Sequence, residues 1–207
     1  MTRVFVADDH AIVRDGLVRL IDAQPDMTVA GQASDTRGAL DALRVGDFDV
    51  LILDLSLPGG GGLEVLSQAG SLAPAVAVVV LSMHAEDRFG PRVLRAGAMA
   101  FLSKGRPTTL LLEAVRRARR GKRTVTDVVA DRLLDPDVES VDQLSDREFQ
   151  VLRLLASGQT TGGIASRLCV SPSTVSTHLA HIKKKLQLHT TADLVGFAMR
   201  HQLVDEG

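Results

Sequence analysis

The chain of 207 residues is poor in aromatic residues and in cysteine. It contains no tryptophan and no tyrosine, and aromatic residues make up only 3% of it. A platform of stacked rings for single-stranded nucleic acid is therefore not expected. The single cysteine, Cys169, excludes an internal disulfide framework, and we expect it to be a small buried apolar residue.

Neither a targeting segment nor a membrane span is predicted. Acidic residues begin at Asp8, which argues against a signal peptide. No apolar stretch reaches the roughly 18 residues that a membrane helix requires. The hydrophobic fraction of 45% is nevertheless ample for a packed core. We therefore expect a folded, soluble, cytoplasmic protein with no membrane partner.

The net charge of −1 conceals an uneven distribution along the chain. Residues 1–121 hold 14 basic and 14 acidic side chains, and residues 122–143 hold 3 basic and 6 acidic ones. Residues 144–207 hold 7 basic and 5 acidic side chains, a mild excess that is compatible with DNA binding. This distribution predicts a first domain over 1–121, an acidic linker over 122–143 and a second domain over 144–207.

Alternating strand and helix patterns over the first 121 residues predict an α/β domain, a doubly wound five-stranded parallel sheet. Short apolar runs predict the buried strands, at about 3–7, 28–33, 49–53, 76–81 and 99–102. Amphipathic stretches predict the helices, at about 10–23, 35–44, 86–95 and 107–120, with a further helix around Leu63. The linker contains Pro136 but enough apolar residues for a short helix, namely Val128, Val129, Leu133 and Leu134.

The second domain is predicted to be all helical. Ser145 followed by Glu148 is a capping-box pattern at the start of its first helix, and the later helices are expected at about 161–168, 172–187 and 190–201. The tight turn from Leu168 to Pro172 predicts a helix-turn-helix.

Polar side chains follow four of the predicted strands. In an open parallel sheet the ligand site lies beyond the carboxyl ends of the strands, so these side chains should meet in one crevice. They are Asp8, Asp9, Asp54, Ser82 and Lys104. Carboxylates bind Mg²⁺, and a carboxylate can also attack phosphorus to form an aspartyl-phosphate. Asp54 ends the central strand and is the expected nucleophile, with Lys104 and Ser82 contacting the phosphoryl oxygens.

The five spaced elements Asp8-Asp9, Asp54-Leu-Ser-Leu-Pro58 with Gly62-Leu-Glu64, Leu81-Ser82, and Gly97-Ala98 through Phe101-Leu-Ser-Lys104 resemble the receiver domain of two-component response regulators. The resemblance covers residues 1–121 and implies a flavodoxin-like fold. It implies that Asp54 accepts a phosphoryl group from a sensor histidine kinase. It also implies that Mg²⁺ is held by Asp9, Asp54 and the backbone carbonyl of Ser56, with Asp8 assisting. Ser82 and Phe101 would form the switch, the ring moving inward behind Ser82. The glycine run 59–62 departs from the family's more varied loop, and we expect a flexible loop there.

Residues 144–204 are similar to the LuxR/FixJ-type DNA-binding domain, through Leu144-Ser-Asp-Arg-Glu148, Ile164-Ala165, Val170-Ser-Pro-Ser-Thr174-Val175 and Lys185-Leu186. With the receiver, this is the architecture of the NarL/FixJ group of transcriptional regulators. The resemblance implies a homodimer on double-stranded promoter DNA. The residues expected to contact DNA are Ser173, Thr174, Ser176, Thr177, His181, Lys183, Lys184 and Lys185. The fourth helix would be a dimer contact, with Leu194, Val195 and Ala198.

This second domain departs from the family pattern at two places. Gly162 and Gly163 stand where relatives begin the first helix of the motif with a lysine and an acid, and a helical glycine costs about 1 kcal/mol relative to alanine. Ser176 and Ala180 stand where relatives often have base-contacting lysines.

The leading hypothesis is a phosphorylation-controlled transcriptional regulator, with no enzymatic activity beyond self-phosphoryl transfer and autodephosphorylation. The alternative is an atypical regulator that acts mainly by protein contacts, with weak or phosphorylation-independent DNA binding. A true phosphohydrolase is disfavoured, because Ser56 stands where a second acid would be needed.

Overall fold

A computed structural model describes residues 1–83, 85–133, 144–201 and 203 of the chain. They belong to two compact units, Met1–Asp131 and Arg132–Gly207. Among the described residues, no helix combines the length and the apolar character that crossing a membrane requires. The later part of the predicted linker, residues 134–143, lies outside the described residues.

The first unit is built on a parallel sheet, as predicted. Its strands are β1 (Thr2–Ala7), β2 (Met27–Ala33), β3 (Val50–Leu53), β4 (Ala77–Ser82) and β5 (Ala100–Ser103), in the spatial order β2-β1-β3-β4-β5. All four residues of the central strand β3 are buried, because a parallel sheet with connecting helices is covered on both faces.

Helices connect the strands and cover the sheet. They are α1 (Ala11–Asp22), α2 (Thr36–Val45), α3 (Gly62–Leu72), α4 (Glu86–Arg95) and α5 (Thr108–Arg119). Residues of α1 and α5 share one buried cluster with alternate residues of the strands, for example Ile21 and Val115 with Ile52. The helix and strand patterns of the sequence therefore predicted these elements with only small differences at their ends.

The strand register brings the carboxyl ends of β1, β3, β4 and β5 to one edge. Ala7 pairs with Leu53, and Leu53 pairs with Val80. Ser82 pairs with Ser103 on the last strand. The residues that follow these positions along the chain are thereby placed side by side.

The beginning of the predicted linker lies against the first unit. Thr124 forms an isolated bridge with Ala100, and its N–H donates to the Met99 carbonyl at 2.8 Å. A short helix, α6 (Asp127–Leu133), follows. Its Val129 is buried so closely against α4 that a Cβ added to Gly90 would lie 2.5 Å from a Val129 methyl group.

The second unit contains α7 (Asp146–Ala156), α8 (Thr161–Arg167), α9 (Pro172–Leu186) and α10 (Thr191–Arg200). The predicted capping box of Ser145 and Glu148 is present. Ser171 caps α9 and accepts a hydrogen bond from the Thr174 N–H, with Pro172 in the first turn. Helices α8 and α9, joined by a short turn, form the predicted helix-turn-helix.

The expectation that Cys169 is buried is wrong. Its side chain is exposed, and its φ of 54° lies in the left-handed region. The residue belongs to the turn between α8 and α9, where the backbone reverses and the side chain is directed away from the core.

Candidate functional site

Asp54 is held at the tip of β3 by backbone contacts. Its N–H donates to the Ala7 carbonyl at 2.8 Å, continuing the ladder between β1 and β3. One carboxylate oxygen, Oδ1, accepts a hydrogen bond from the Ser56 N–H at 3.1 Å, so the Ser56 backbone lies directly beside the carboxylate. The side chain is almost fully buried. Its second oxygen, Oδ2, contacts Lys104 in the crevice.

Lys104 links the two buried carboxylates of the crevice. Its Nζ lies 2.7 Å from Asp8 Oδ2 and 2.8 Å from Asp54 Oδ2, and its side chain is 8% exposed. Burial on its own would lower the pKa of Lys104. The hydrogen bonds and charges of Asp54 and Asp8 outweigh that effect and raise its pKa above the usual value. The ammonium group is therefore charged at neutral pH.

Asp9 and His10 form the exposed rim of the same crevice. His10 Nδ1 lies 2.7 Å from Asp9 Oδ1, and the His10 backbone N–H donates to Asp8 Oδ1 at 2.9 Å. One possible ligand atom from each of Asp8, Asp9, His10 and Asp54 lies within 4.8 Å of all the others. His10 was not among the residues predicted from the sequence, although its position directly after Asp9 was a usable signal.

The donor set fits a hard divalent cation. Three carboxylates converge on one crevice, and Mg²⁺ is bound in proteins through one or two carboxylates together with water and phosphate oxygens. Asp8, Asp9 and Asp54 each supply a carboxylate oxygen to this cluster, and Lys104 contacts both Asp8 and Asp54.

The predicted switch residues, Ser82 and Phe101, are both buried. Ser82 is fully buried, and its carbonyl accepts a hydrogen bond from the Lys104 N–H at 2.8 Å. Phe101, on β5, is also buried, with 1% of its surface exposed.

The backbone conformation of the loop between β3 and α3 accounts for the glycine run 59–62. Gly59, Gly60 and Gly61 have φ angles of 91°, 154° and 93°, which other residues rarely adopt. The Gly61 N–H donates to the Thr36 hydroxyl at 3.0 Å. A Cβ on Gly62 would lie 2.2 Å from the Asp54 carbonyl oxygen, so only glycine fits where α3 begins next to the site.

A buried carboxylate close to Lys104 was also missed by the sequence analysis. Glu86, in the first turn of α4, accepts hydrogen bonds from the Ser103 N–H at 2.9 Å and from the Thr126 hydroxyl at 2.9 Å. Arg106 donates to both of its oxygens, at 2.9 and 2.7 Å. Burial on its own would raise the pKa of Glu86, but these donors outweigh it and the pKa lies below the usual value. Its place four residues after Ser82 was the only sequence signal.

In the second unit, α9 presents a polar surface. Ser173, Ser176, Thr177, His181 and Lys184 are exposed, while Thr174 and Lys183 are half-buried. The hydroxyls of Ser176 and Thr177 each donate to a carbonyl one turn earlier in the helix, at 3.1 Å. Each hydroxyl oxygen keeps acceptor capacity toward a ligand.

Lys185 is also exposed on α9, but it has an acidic partner. Its Nζ lies 2.7 Å from Oε2 of Glu148, a buried carboxylate that also accepts a hydrogen bond from the Ser145 N–H at 2.7 Å. The DNA contact of Lys185 stays a prediction, and in this structure its charge neutralises a buried acid and ties α9 to α7.

The start of α8 retains a cap despite its glycines. The Thr160 hydroxyl accepts a hydrogen bond from the Gly163 N–H at 3.1 Å. Gly162 and Gly163 are both exposed, and neither offers a side chain to a phosphate.

Two of the three predicted dimer residues on α10 are buried inside the second unit. Leu194 and Ala198 are fully covered by the domain's own core, so neither has surface left for a partner. Val195 is half-buried, and Met199 is 61% exposed. Leu194 and Ala198 of the apolar stripe on this helix therefore face inward, whereas Val195 and Met199 keep surface exposed to solvent.

Family models match both parts of the chain. Residues 4–116 match the response regulator receiver domain. Residues 142–198 match the bacterial regulatory proteins of the luxR family. The two matches lie on the first and the second compact unit, respectively.

Known proteins are similar over nearly the whole chain. The response regulator GacA of Pseudomonas viridiflava is 34% identical over 211 residues, which cover 99% of both proteins. The response regulator UvrY of Escherichia coli is 31% identical, over 98% of this chain and 96% of that protein. Among solved structures, RcsB from Salmonella enterica serovar Typhimurium, bound to the promoter rprA with the phosphomimetic BeF₃⁻, aligns with a TM-score of 0.68. It is 26% identical and covers 95% of this chain and 97% of that chain.

Proposed function

Because the chain belongs to the response regulators that combine a receiver domain with a LuxR-type DNA-binding domain, a family of transcription regulators, we propose that Asp54 accepts a phosphoryl group from a sensor histidine kinase. The observation that carries the proposal is the crevice itself: a buried carboxylate, Asp54, faces the Lys104 ammonium beside two further carboxylates. We place the receiver at 1–121, the linker at 122–143 and the DNA-binding domain at 144–207.

In the proposed transfer, Asp54 Oδ2 attacks the phosphorus atom of the kinase's phosphohistidine. A new P–O bond forms, the P–N bond breaks, and the histidine leaves. A bound Mg²⁺ ion would neutralise the phosphoryl oxygens. Asp9, Asp54 and the Ser56 backbone would hold the ion with help from Asp8, while Lys104 pairs with a phosphoryl oxygen and Ser82 donates a hydrogen bond to another.

The phosphorylated state is proposed to be a signal, not an intermediate in turnover. Water attack on the aspartyl-phosphate releases phosphate and regenerates Asp54, which is the one hydrolytic step we assign to this chain. Phosphorylation would alter dimerisation and promoter binding, in the cytoplasm, where the kinase's catalytic part and the DNA are both accessible. The dimer would form through α10, around Val195 and Met199.

A variant in Asp54 tests the proposal. Asp54→Asn should abolish labelling of the full chain by a small-molecule phosphodonor with Mg²⁺ and should weaken donor-induced dimerisation, measured as mass in solution. Asp41→Asn is the matched control, because Asp41 is an exposed carboxylate on α2 that pairs with the exposed Arg37 and Arg44. Persistent labelling of Asp54→Asn would show that the phosphoacceptor is another residue.

A second candidate function is regulation mainly through protein contacts. The observations that favour it are the exposed glycines of α8 and the pairing of Lys185 with Glu148, which together reduce the cations available to phosphates. Binding of the full chain to a fragment of its own promoter region, measured across salt concentrations, separates the two. Absence of binding even at low salt would favour protein contacts.

A further inference from the structure

Glu86 stands where three parts of the first unit meet. Its two carboxylate oxygens accept hydrogen bonds from the Ser103 N–H at the end of β5 and from the Arg106 guanidinium in the loop after β5. They also accept one from the Thr126 hydroxyl just before α6. With 6% of its surface exposed, the residue has given up most of its hydration and depends on these donors.

The same contacts lead directly into the crevice. Ser103 precedes Lys104, whose ammonium contacts Asp54 and Asp8 and whose N–H donates to the Ser82 carbonyl. A shift of Lys104 therefore moves the backbone N–H that Glu86 holds. On the other side, Thr126 leads into α6, where Val129 is buried against Gly90 of α4.

We propose that Glu86 is a positioning residue that holds the Lys104 loop and the α6 segment in a single arrangement, so that a change at Asp54 reaches the linker. The coupling between the Lys104 loop and α6 through Glu86 rests on the contacts alone. The response of this coupling to a phosphoryl group on Asp54 rests on the function proposed above. A phosphoryl group on Asp54 occupies the space where Lys104 now meets the carboxylate. Lys104 and Ser103 then shift, the contacts of Glu86 weaken, and α6 is released from α4.

The sharpest probe of the coupling is a pair of threonines two residues apart. Thr126→Val removes the hydroxyl that contacts Glu86 and keeps the shape of the side chain. Thr124→Val is the matched control, since Thr124 Oγ1 is buried and has no hydrogen-bond partner among the described residues. Thr126→Ser restores the hydroxyl and should restore wild-type behaviour.

The measurement is hydrogen exchange of backbone amides in the full chain without any ligand. In Thr126→Val, the amides of Val129 and Ala130, which donate to the Thr126 carbonyl, should exchange about tenfold faster. The Lys104 and Arg106 amides, which donate to the Ser82 and Ser103 carbonyls, should also exchange faster. Thr124→Val should change neither group. If the amides of Lys104 and Arg106 keep their wild-type rates in Thr126→Val, or if Thr124→Val has the same effect, the coupling is refuted.

A second measurement adds Mg²⁺ and BeF₃⁻ as the phosphoryl mimic. In the wild-type chain the amides of Val129 and Ala130 should then exchange about fivefold faster, and Thr126→Val should show no further increase. BeF₃⁻ that protects the Ser56 amide but leaves α6 unchanged would overturn the coupling and leave the phosphoacceptor proposal standing. If BeF₃⁻ does not bind at all, the phosphoacceptor proposal fails. The comparison of the variants without ligand then decides whether Glu86 couples the Lys104 loop to α6.

Discussion

Two glycines of α3 show how differently single residues are constrained around the crevice. A Cβ on Gly62 would lie 2.2 Å from the Asp54 carbonyl oxygen, whereas a Cβ on Gly70 would meet nothing within 4 Å. The first glycine is required because the backbone of Asp54 and Leu55 passes directly next to it. The second is an ordinary helical glycine, which lowers stability through its conformational freedom.

Alanine at these two positions should have opposite effects on the free energy of unfolding. Gly62→Ala should lower it by about 2 kcal/mol, because the backbone of Asp54 and Leu55 must move to make room. Gly70→Ala should raise it by about 0.5 to 1 kcal/mol. Urea unfolding at equilibrium measures both, and equal effects would mean that α3 can shift away from Asp54.

Removal of the Lys104 charge should expose the repulsion between the carboxylates that it joins. Lys104→Met leaves Asp8 and Asp54 buried without their cation, which should cost about 3 kcal/mol of stability. Mg²⁺ should restore more stability to this variant than to the wild-type chain, seen as a larger rise in Tm. Lys122→Met, at an exposed position after α5, is the control. An identical Mg²⁺ effect in both variants would contradict the assignment of the cation to this crevice.

The sequence alone predicted that a set of polar residues would meet at one edge of the sheet, because each comes at the carboxyl end of a strand. The set is Asp8, Asp9, Asp54, Ser82 and Lys104. These residues follow apolar runs whose ends a parallel sheet must align. Glu86 and Arg106 carried no such signal. Their pairing depends on how the first turn of α4 lies against the loop after β5, and no local pattern encodes that distance.

At the scale of elements, helix α7 is joined to α9 by one buried carboxylate. Glu148 completes the capping box at Ser145 and pairs with Lys185 from α9. Burial on its own would raise the pKa of Glu148, but the hydrogen bonds from Lys185 and Ser145 outweigh it and hold the pKa below the usual value of 4.5. A carboxyl whose pKa is lower in the folded state stabilises the fold above its unfolded pKa and loses that contribution as the pH falls.

Glu148→Gln should therefore destabilise the second unit by roughly 2 kcal/mol at pH 7, through loss of a charged hydrogen-bond acceptor. The difference from the wild-type chain should shrink as the pH falls below 4.5, the ordinary value for this group, because the wild-type carboxyl becomes protonated too. Amide exchange of the α7 residues in the full chain, compared at several pH values, measures this. A difference that is constant with pH would mean that Glu148 contributes through shape alone.

The sequence predicted the helices of the second unit better than the directions of their side chains. Capping residues and apolar spacing are local, so the helices were found within a few residues. Cys169 is exposed where burial was expected, and Leu194 and Ala198 are buried where a dimer contact was expected, because the side of a helix that is covered depends on its neighbours. An apolar stripe fits a core and a dimer contact equally well until the packing is known.

For the whole molecule, the net charge of −1 means that any affinity for DNA must come from locally placed cations. Lys184 is exposed on α9, whereas Lys185 is paired with Glu148. Lys184→Ala should weaken binding to different promoter fragments by similar factors. It should also reduce the slope of log affinity against log salt by about 0.9.

Lys185→Ala serves as the comparison on the same helix turn. It should lower the stability of the second unit and leave the salt slope nearly unchanged, because its charge is already neutralised by Glu148. Binding isotherms at several salt concentrations, together with thermal unfolding, distinguish the two lysines. A smaller salt slope in both variants would show that Lys185 also contacts DNA phosphates.

The sequence by itself determined the two-part architecture, the sheet and the helix-turn-helix, because apolar periodicity and caps are properties of short segments. It also determined the acidic crevice, because strand ends in a parallel sheet must converge. Only the tertiary structure decided which charges neutralise each other, as in Lys104 with Asp8 and Asp54, Glu86 with Arg106, and Lys185 with Glu148. Those pairs join residues 20 or more positions apart, and a distance of under 3 Å between such groups exists only once the elements have packed.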